Sequence, residues 1–272
     1  MATTSKRTLI VGNWKMHQNA SQASLLLHRL HERIKIYRDV EVVLAPSMLV
    51  LQPLSVQIDR RKFRLAAQNA YHKDEGAFTG EVSFTMLRDL AHYAIVGHSD
   101  RRYKFGEDLD MIRDKVAAAV RNDIMPILCV GETAREKAEG DGLQVLHDQV
   151  ISGLSNVTSR EVGDIVIAYE PVWALSTGSD YMHHEIPKPD GIAKAVVAIR
   201  KNVAELYGKK AAERIRVLYG GSANASTAGG LLSIEGVDGL LVGGASLNYH
   251  QFSGIVDAAY RRRHGTGEIS AS

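Results

Sequence analysis

One cysteine, Cys129, stands in 272 residues, so the chain forms no internal disulfide and suits a reducing compartment. An excess of one charge is also missing. The 33 basic and 31 acidic side chains leave a formal net charge of +2, which gives no reason to expect nucleic acid or an acidic membrane surface as a partner. No apolar run approaches the roughly 18 residues that a membrane span needs. The first eight residues, M-A-T-T-S-K-R-T, lack the apolar core of a secretory signal, so the expected location is cytoplasmic. From about Arg262 to Ser272 the chain is polar and Gly/Ser-containing, and a flexible tail is expected there.

Eight short β-rich runs are present: Leu9 to Val11, Val40 to Ala45, Leu65 to Ala67, Tyr93 to Val96, Ile127 to Val130, Ile165 to Tyr169, Ile215 to Tyr219 and Leu240 to Val242. Several are apolar at nearly every position, as strands of a parallel sheet covered on both faces should be. Between them lie segments with helical spacing. Ile192, Val196, Ile199, Val203 and Leu206 line one face, as do Leu109, Ile112, Val116 and Val120, and Leu26, Leu27, Leu30 and Ile34. Strand alternating with helix eight times, without a linker, predicts an α/β protein with a single closed (β/α)8 barrel. A doubly wound open sheet is the alternative.

In such a barrel the functional residues sit where strands end. Those positions read Gly12-Asn13-Trp14-Lys15, Gln68-Asn69, Gly97-His98-Ser99-Asp100, Gly131-Glu132, Glu170-Pro171, Gly220-Gly221-Ser222 and Gly243-Gly244. A Lys, a His and a Glu from three different strands can supply a cation, a hydrogen-bond donor and a base. The glycine doublets after the last two strands fit a phosphate site, because glycine lets backbone N–H groups approach an anion closely. Singly, each has an ordinary explanation as a solvated charge, a loop histidine, a helix cap or a turn. Their placement at one end of one barrel favours a joint site.

These residues resemble the triosephosphate isomerase family. The resemblance runs from Gly12-Asn-Trp-Lys-Met16 through Ala66-Ala-Gln-Asn69, Gly76-Ala-Phe-Thr-Gly-Glu81, Ile95-Val-Gly-His-Ser99, Cys129-Val-Gly-Glu132, Ala168-Tyr-Glu-Pro-Val-Trp173 and Tyr219-Gly-Gly-Ser222 to Gly243-Gly-Ala-Ser-Leu247. It implies a TIM barrel and the interconversion of dihydroxyacetone phosphate and glyceraldehyde 3-phosphate, a step of glycolysis and gluconeogenesis. Glu170 is then the base, His98 a neutral imidazole that donates to the enediolate oxygens, Lys15 a fixed cation and Asn13 a further polar contact. Backbone groups of Ser222, Gly243 and Gly244, with Ser176 from a mobile lid, are implied to hold the phosphate. No cofactor and no metal are implied. The segment Asn69 to Glu81 resembles a loop that docks into a second subunit, with Thr79 reaching the neighbour's site, so a homodimer is expected.

Three features depart from the family pattern. The usual His-Ser-Glu-Arg-Arg reads His98-Ser99-Asp100-Arg101-Arg102 here, which keeps the charge but withdraws it by one methylene and predicts reduced or rearranged support near Lys15. The usual Ala-Ile-Gly-Thr-Gly-Lys lid reads Ala174-Leu175-Ser176-Thr177-Gly178-Ser179, and extra residues cover much of Tyr181 to Pro189. The adjacent His183 and His184 are expected to be a solvated pair, since no further ligand stands nearby at metal spacing. Two other functions fit these departures: an isomerase of a four-carbon ketose phosphate, and a non-catalytic phosphate-binding barrel. The joint retention of Lys15, His98 and Glu170 weighs against the second.

Overall fold

In the computed structural model residues 6–175 and 187–264 are described. The β-rich runs become β1 (Thr8–Asn13), β2 (Val40–Ala45), β3 (Phe63–Ala67), β4 (Tyr93–Val96), β5 (Met125–Val130), β6 (Val166–Tyr169), β7 (Arg216–Tyr219) and β8 (Gly239–Val242). Every neighbouring pair is parallel, and β1 pairs with both β2 and β8, so the sheet closes into an eight-stranded barrel. The open-sheet alternative is excluded.

Helices cover the outside. In chain order they are α1 (Ala20–Arg33), α2 (Met48–Ser55), α3 (Phe84–Leu87), α4 (Ser99–Phe105), α5 (Leu109–Arg121), α6 (Ala134–Glu139), α7 (Gly142–Leu154), α8 (Pro189–Tyr207), α9 (Lys209–Arg214), α10 (Ala228–Leu232) and α11 (Tyr249–His264). The three helical stripes read from spacing form α1, α5 and α8. Two residues on them behave differently: Leu109 and Leu206 are 38% and 37% exposed, each at an end of its helix, where the stripe turns away from the barrel. Arg262, Arg263 and His264 belong to the last turn of α11 and not to a tail, while 265–272 lie outside the described residues.

Alternation along each strand divides the core in two. Leu9, Val11, Val43, Ala66, Ile95, Ile127, Ala168, Leu218 and Leu241 fill the barrel interior. Their neighbours Ile10, Val42, Leu44, Val96, Leu128, Ile167, Val217 and Leu240 pack outward against the helices. This is why strands apolar at every position are stable here: both faces are buried.

Polar groups close the lower end of the interior. Tyr93 donates its hydroxyl to Glu41 Oε1 (3.0 Å), and Arg216 donates to Glu41 Oε2 (2.9 Å) and to the Tyr93 hydroxyl (2.8 Å). The ring ties β2, β4 and β7 together, and burial, its main cause, pushes the Tyr93 hydroxyl up to about 12. Among the described residues no helix is long and apolar enough to cross a membrane.

Candidate active site

The same alternation that fills the barrel also builds its mouth. Asn13 continues the inward set of Leu9 and Val11, and Glu170 continues that of Val166 and Ala168, so both turn inward just past the last core layer. A cavity of ≈ 310 Å³ opens there, lined by Asn13, Lys15, His98 and Glu170 on one side and by Gly220 to Ser222, Gly243 and Gly244 on the other. Its size suits a small ligand.

Lys15 sits just beyond β1 with φ 52°, a left-handed conformation that costs a non-glycine residue about 1 to 3 kcal/mol. Neighbouring bonds hold it there. Its N–H donates to Asn13 Oδ1 (3.0 Å), and its carbonyl accepts from Gln68 Nε2 (2.9 Å), which also donates to the Ala45 carbonyl (2.9 Å). At the tip, Lys15 Nζ lies 3.1 Å from Asp100 Oδ2. The other oxygen of Asp100 lies 2.7 Å from Lys104 Nζ. Burial opposes the charge on Asp100, but the ammonium groups of Lys104 and Lys15 outweigh it and hold the carboxyl at about 2. The carboxylate of Asp100, shorter than the Glu of the family pattern, reaches Lys15 with one oxygen and takes Lys104 on the other.

His98 caps α4, its Nδ1 accepting the Asp100 N–H (3.1 Å). A nitrogen that accepts carries no proton, so this network assigns the neutral ring with its proton on Nε2. That Nε2 lies 3.2 Å from Glu170 Oε1, and Glu170 Oε2 accepts the Ser99 N–H (3.1 Å). Glu170 is only 2% exposed, so its carboxylate is held by two donors in a site with little water. The turn that presents His98 depends on Gly97, whose φ of +68° disfavours a side chain. Arg102 braces this turn: its Nε donates to the Gly97 carbonyl and its Nη2 to that of Cys129, both at 2.8 Å.

Across the cavity the backbone predominates. Gly243 leads into a short 3-10 turn, Gly244–Leu247, and the Ser222 hydroxyl reaches the Ala174 carbonyl at 3.4 Å. After Glu170 the chain makes a second 3-10 turn, Val172–Ala174. Its Trp173 donates the indole N–H to Glu132 Oε1 (2.7 Å), which also accepts the Tyr169 hydroxyl (3.0 Å). Ser176, His183 and His184 lie outside the described residues. Among those described, no cluster of three or more metal-ligating side chains occurs. Thr79 is exposed on a loop and is not among the residues lining this chain's own cavity, and the loop is braced by Arg121, which bonds the His72 carbonyl (2.6 Å) and Asp74.

Lys15, His98, Glu170, Asn13, Ser222, Gly243 and Gly244 therefore share one cavity. Sequence reasoning named Gln68 only as a strand-end position and Arg102 only within the fourth-strand motif, and it gave no part to Lys104. Gln68 shares the inward parity of Ala66, and Lys104 stands four residues after Asp100. Each was a readable signal once the strand end and helix α4 were known.

The family model for triosephosphate isomerase matches residues 8–259. A triosephosphate isomerase of Citrifermentans bemidjiense is 40% identical over 252 residues, covering 92% of this chain and 98% of that one. Those of Clostridium tetani and Caldanaerobacter subterraneus subsp. tengcongensis are 41% and 38% identical over 93% of this chain, and over 96% and 99% of their own. With a closed barrel and this cavity at its mouth, the chain belongs to the triosephosphate isomerase family.

Proposed function

We infer that the protein is an aldose–ketose isomerase that interconverts dihydroxyacetone phosphate and D-glyceraldehyde 3-phosphate. The observation that carries this reading is the convergence of Glu170, His98, Lys15 and Asn13 on one cavity whose opposite wall is glycine backbone. Glu170 removes a proton from the carbon beside the carbonyl, leaving an enediolate, and returns it to the neighbouring carbon. His98, neutral with its proton on Nε2, donates to the enediolate oxygens as their charge develops. Lys15 supplies fixed positive charge and Asn13 a further contact to the substrate oxygens.

The phosphate rests against the N–H groups of Ser222, Gly243 and Gly244, with Ser176 adding one when the lid closes. Closure keeps water from the enediolate, which otherwise expels its phosphate. The enzyme works as a homodimer in the cytoplasm, with Thr79 of each subunit completing the other's site. It calls for no metal or organic cofactor.

Steady-state kinetics on glyceraldehyde 3-phosphate, beside a tetrulose phosphate, test the reading. The triose is expected to be the better substrate by kcat/KM, and Glu170→Gln to lose about 10²-fold or more in kcat. A negligible triose rate, or a preference for the four-carbon sugar, sinks it.

A further inference from the structure

Asp100 differs from an ordinary surface carboxylate in having both oxygens committed, one to each of two lysines. Oδ2 faces Lys15 Nζ at 3.1 Å and Oδ1 faces Lys104 Nζ at 2.7 Å. Lys104 stands one helical turn after Asp100 on α4, with the acid N-terminal to the base, the favourable order for such a pair. An aspartate has two side-chain torsions, so fixing one oxygen fixes where the other points. The backbone N–H of the same residue is already committed to His98 Nδ1.

We propose that Lys104 is a positioning residue for Lys15, acting through Asp100. This rests on the reading of Lys15 as the cation of the substrate site. Two effects follow from the geometry. First, Lys104 holds the short carboxylate turned toward Lys15, so the Lys15 ammonium stays at the cavity wall. Second, it takes up part of the carboxylate's charge: Lys15 and Asp100 alone sum to zero, whereas with Lys104 the group keeps one positive charge for an anionic substrate. The Lys104 side chain is 56% exposed, so salt screens its direct pull on a distant anion more strongly than its 2.7 Å contact with Asp100.

The test is a double-mutant cycle on the full-length enzyme, read as kcat/KM for glyceraldehyde 3-phosphate at low and high ionic strength. Lys104→Met is expected to lose about threefold to tenfold, chiefly through KM, with part of the loss persisting at high salt. Lys104→Arg, which keeps the charge and reach, should restore activity to within about twofold. In an Asp100→Asn background, Lys104→Met should cause little further change, because the residue through which it acts is altered. Equal losses in both backgrounds, or a Lys104→Met enzyme as active as the parent, overturn the proposal. If the parent itself fails to turn over the triose, the assignment of the reaction fails instead, so the two failures are distinguishable.

Discussion

Asp100 shows how one methylene is absorbed at a site. Its carboxyl is held at about 2, below the 3.8 of an unperturbed aspartate. A depressed folded-state pKa contributes stability that is fully present above the unfolded value and is lost as pH falls through the folded one. The shift sets an upper limit on the order of 2 kcal/mol on that contribution, which solvent screening of the half-exposed Lys104 lowers. The stability difference between the parent and Asp100→Asn should therefore be constant from neutral pH to about pH 5 and shrink between about 4 and 2. Chemical denaturation across that range measures it, and a difference that grows on acidification contradicts the assignment. From sequence, Asp100 was legible as a departure, but its second partner was not, since Lys104 becomes a neighbour only once the segment is helical. Glu170 was legible for a different reason: it ends an apolar run and stands within the motif Ala168-Tyr-Glu-Pro-Val-Trp173.

At the scale of elements, all eight strands were readable because their runs are apolar at most positions, with Glu41 of β2 as an interruption, and β2 and β4 match residue for residue. The short helices were not. In α4 only Ser99 is buried, and α6 buries nothing, so neither carries an apolar stripe. Both are instead specified by their ends: Thr133 and Glu136 form a capping box on α6, and His98 caps α4. The strand junctions make their own prediction. A Cβ on Gly239 of β8 meets the Leu9 carbonyl oxygen of β1 at 1.9 Å, at the seam where the barrel closes. Gly239→Ala is expected to cost about 3 kcal/mol or more by forcing that seam apart, or to prevent folding. Thermal unfolding checks it, and an unchanged midpoint would show that the seam yields freely.

The whole molecule is unevenly finished. Met16, Leu49, Phe78, Met86 and Phe105 are exposed by 94%, 78%, 39%, 63% and 66%, and all belong to segments following the first four strands. Leu143 and Val197, after β5 and β6, are exposed by 60% and 65%, so apolar exposure is heavier on the first four segments without being confined to them, which is compatible with the homodimer proposed above. Sedimentation of the purified protein should give a dimer. Thr79→Arg should shift it toward monomer and lower kcat/KM by about tenfold or more, because a foreign charge then sits in the contact. A stable, fully active monomer contradicts both expectations.

The pairing of β1 with β8 has a consequence for synthesis. Leu9 waits for Gly239, roughly 230 residues later in the chain. At ribosomal rates of about 5 to 20 residues per second, that interval is on the order of 10 to 50 s. Throughout it the edge of β1 that faces β8 has no partner, and Glu41 and Tyr93 wait 175 and 123 residues for Arg216. An unpaired strand edge is adhesive. For most of its synthesis the chain therefore cannot close its barrel, and only the last strand to emerge supplies the partner that this edge requires.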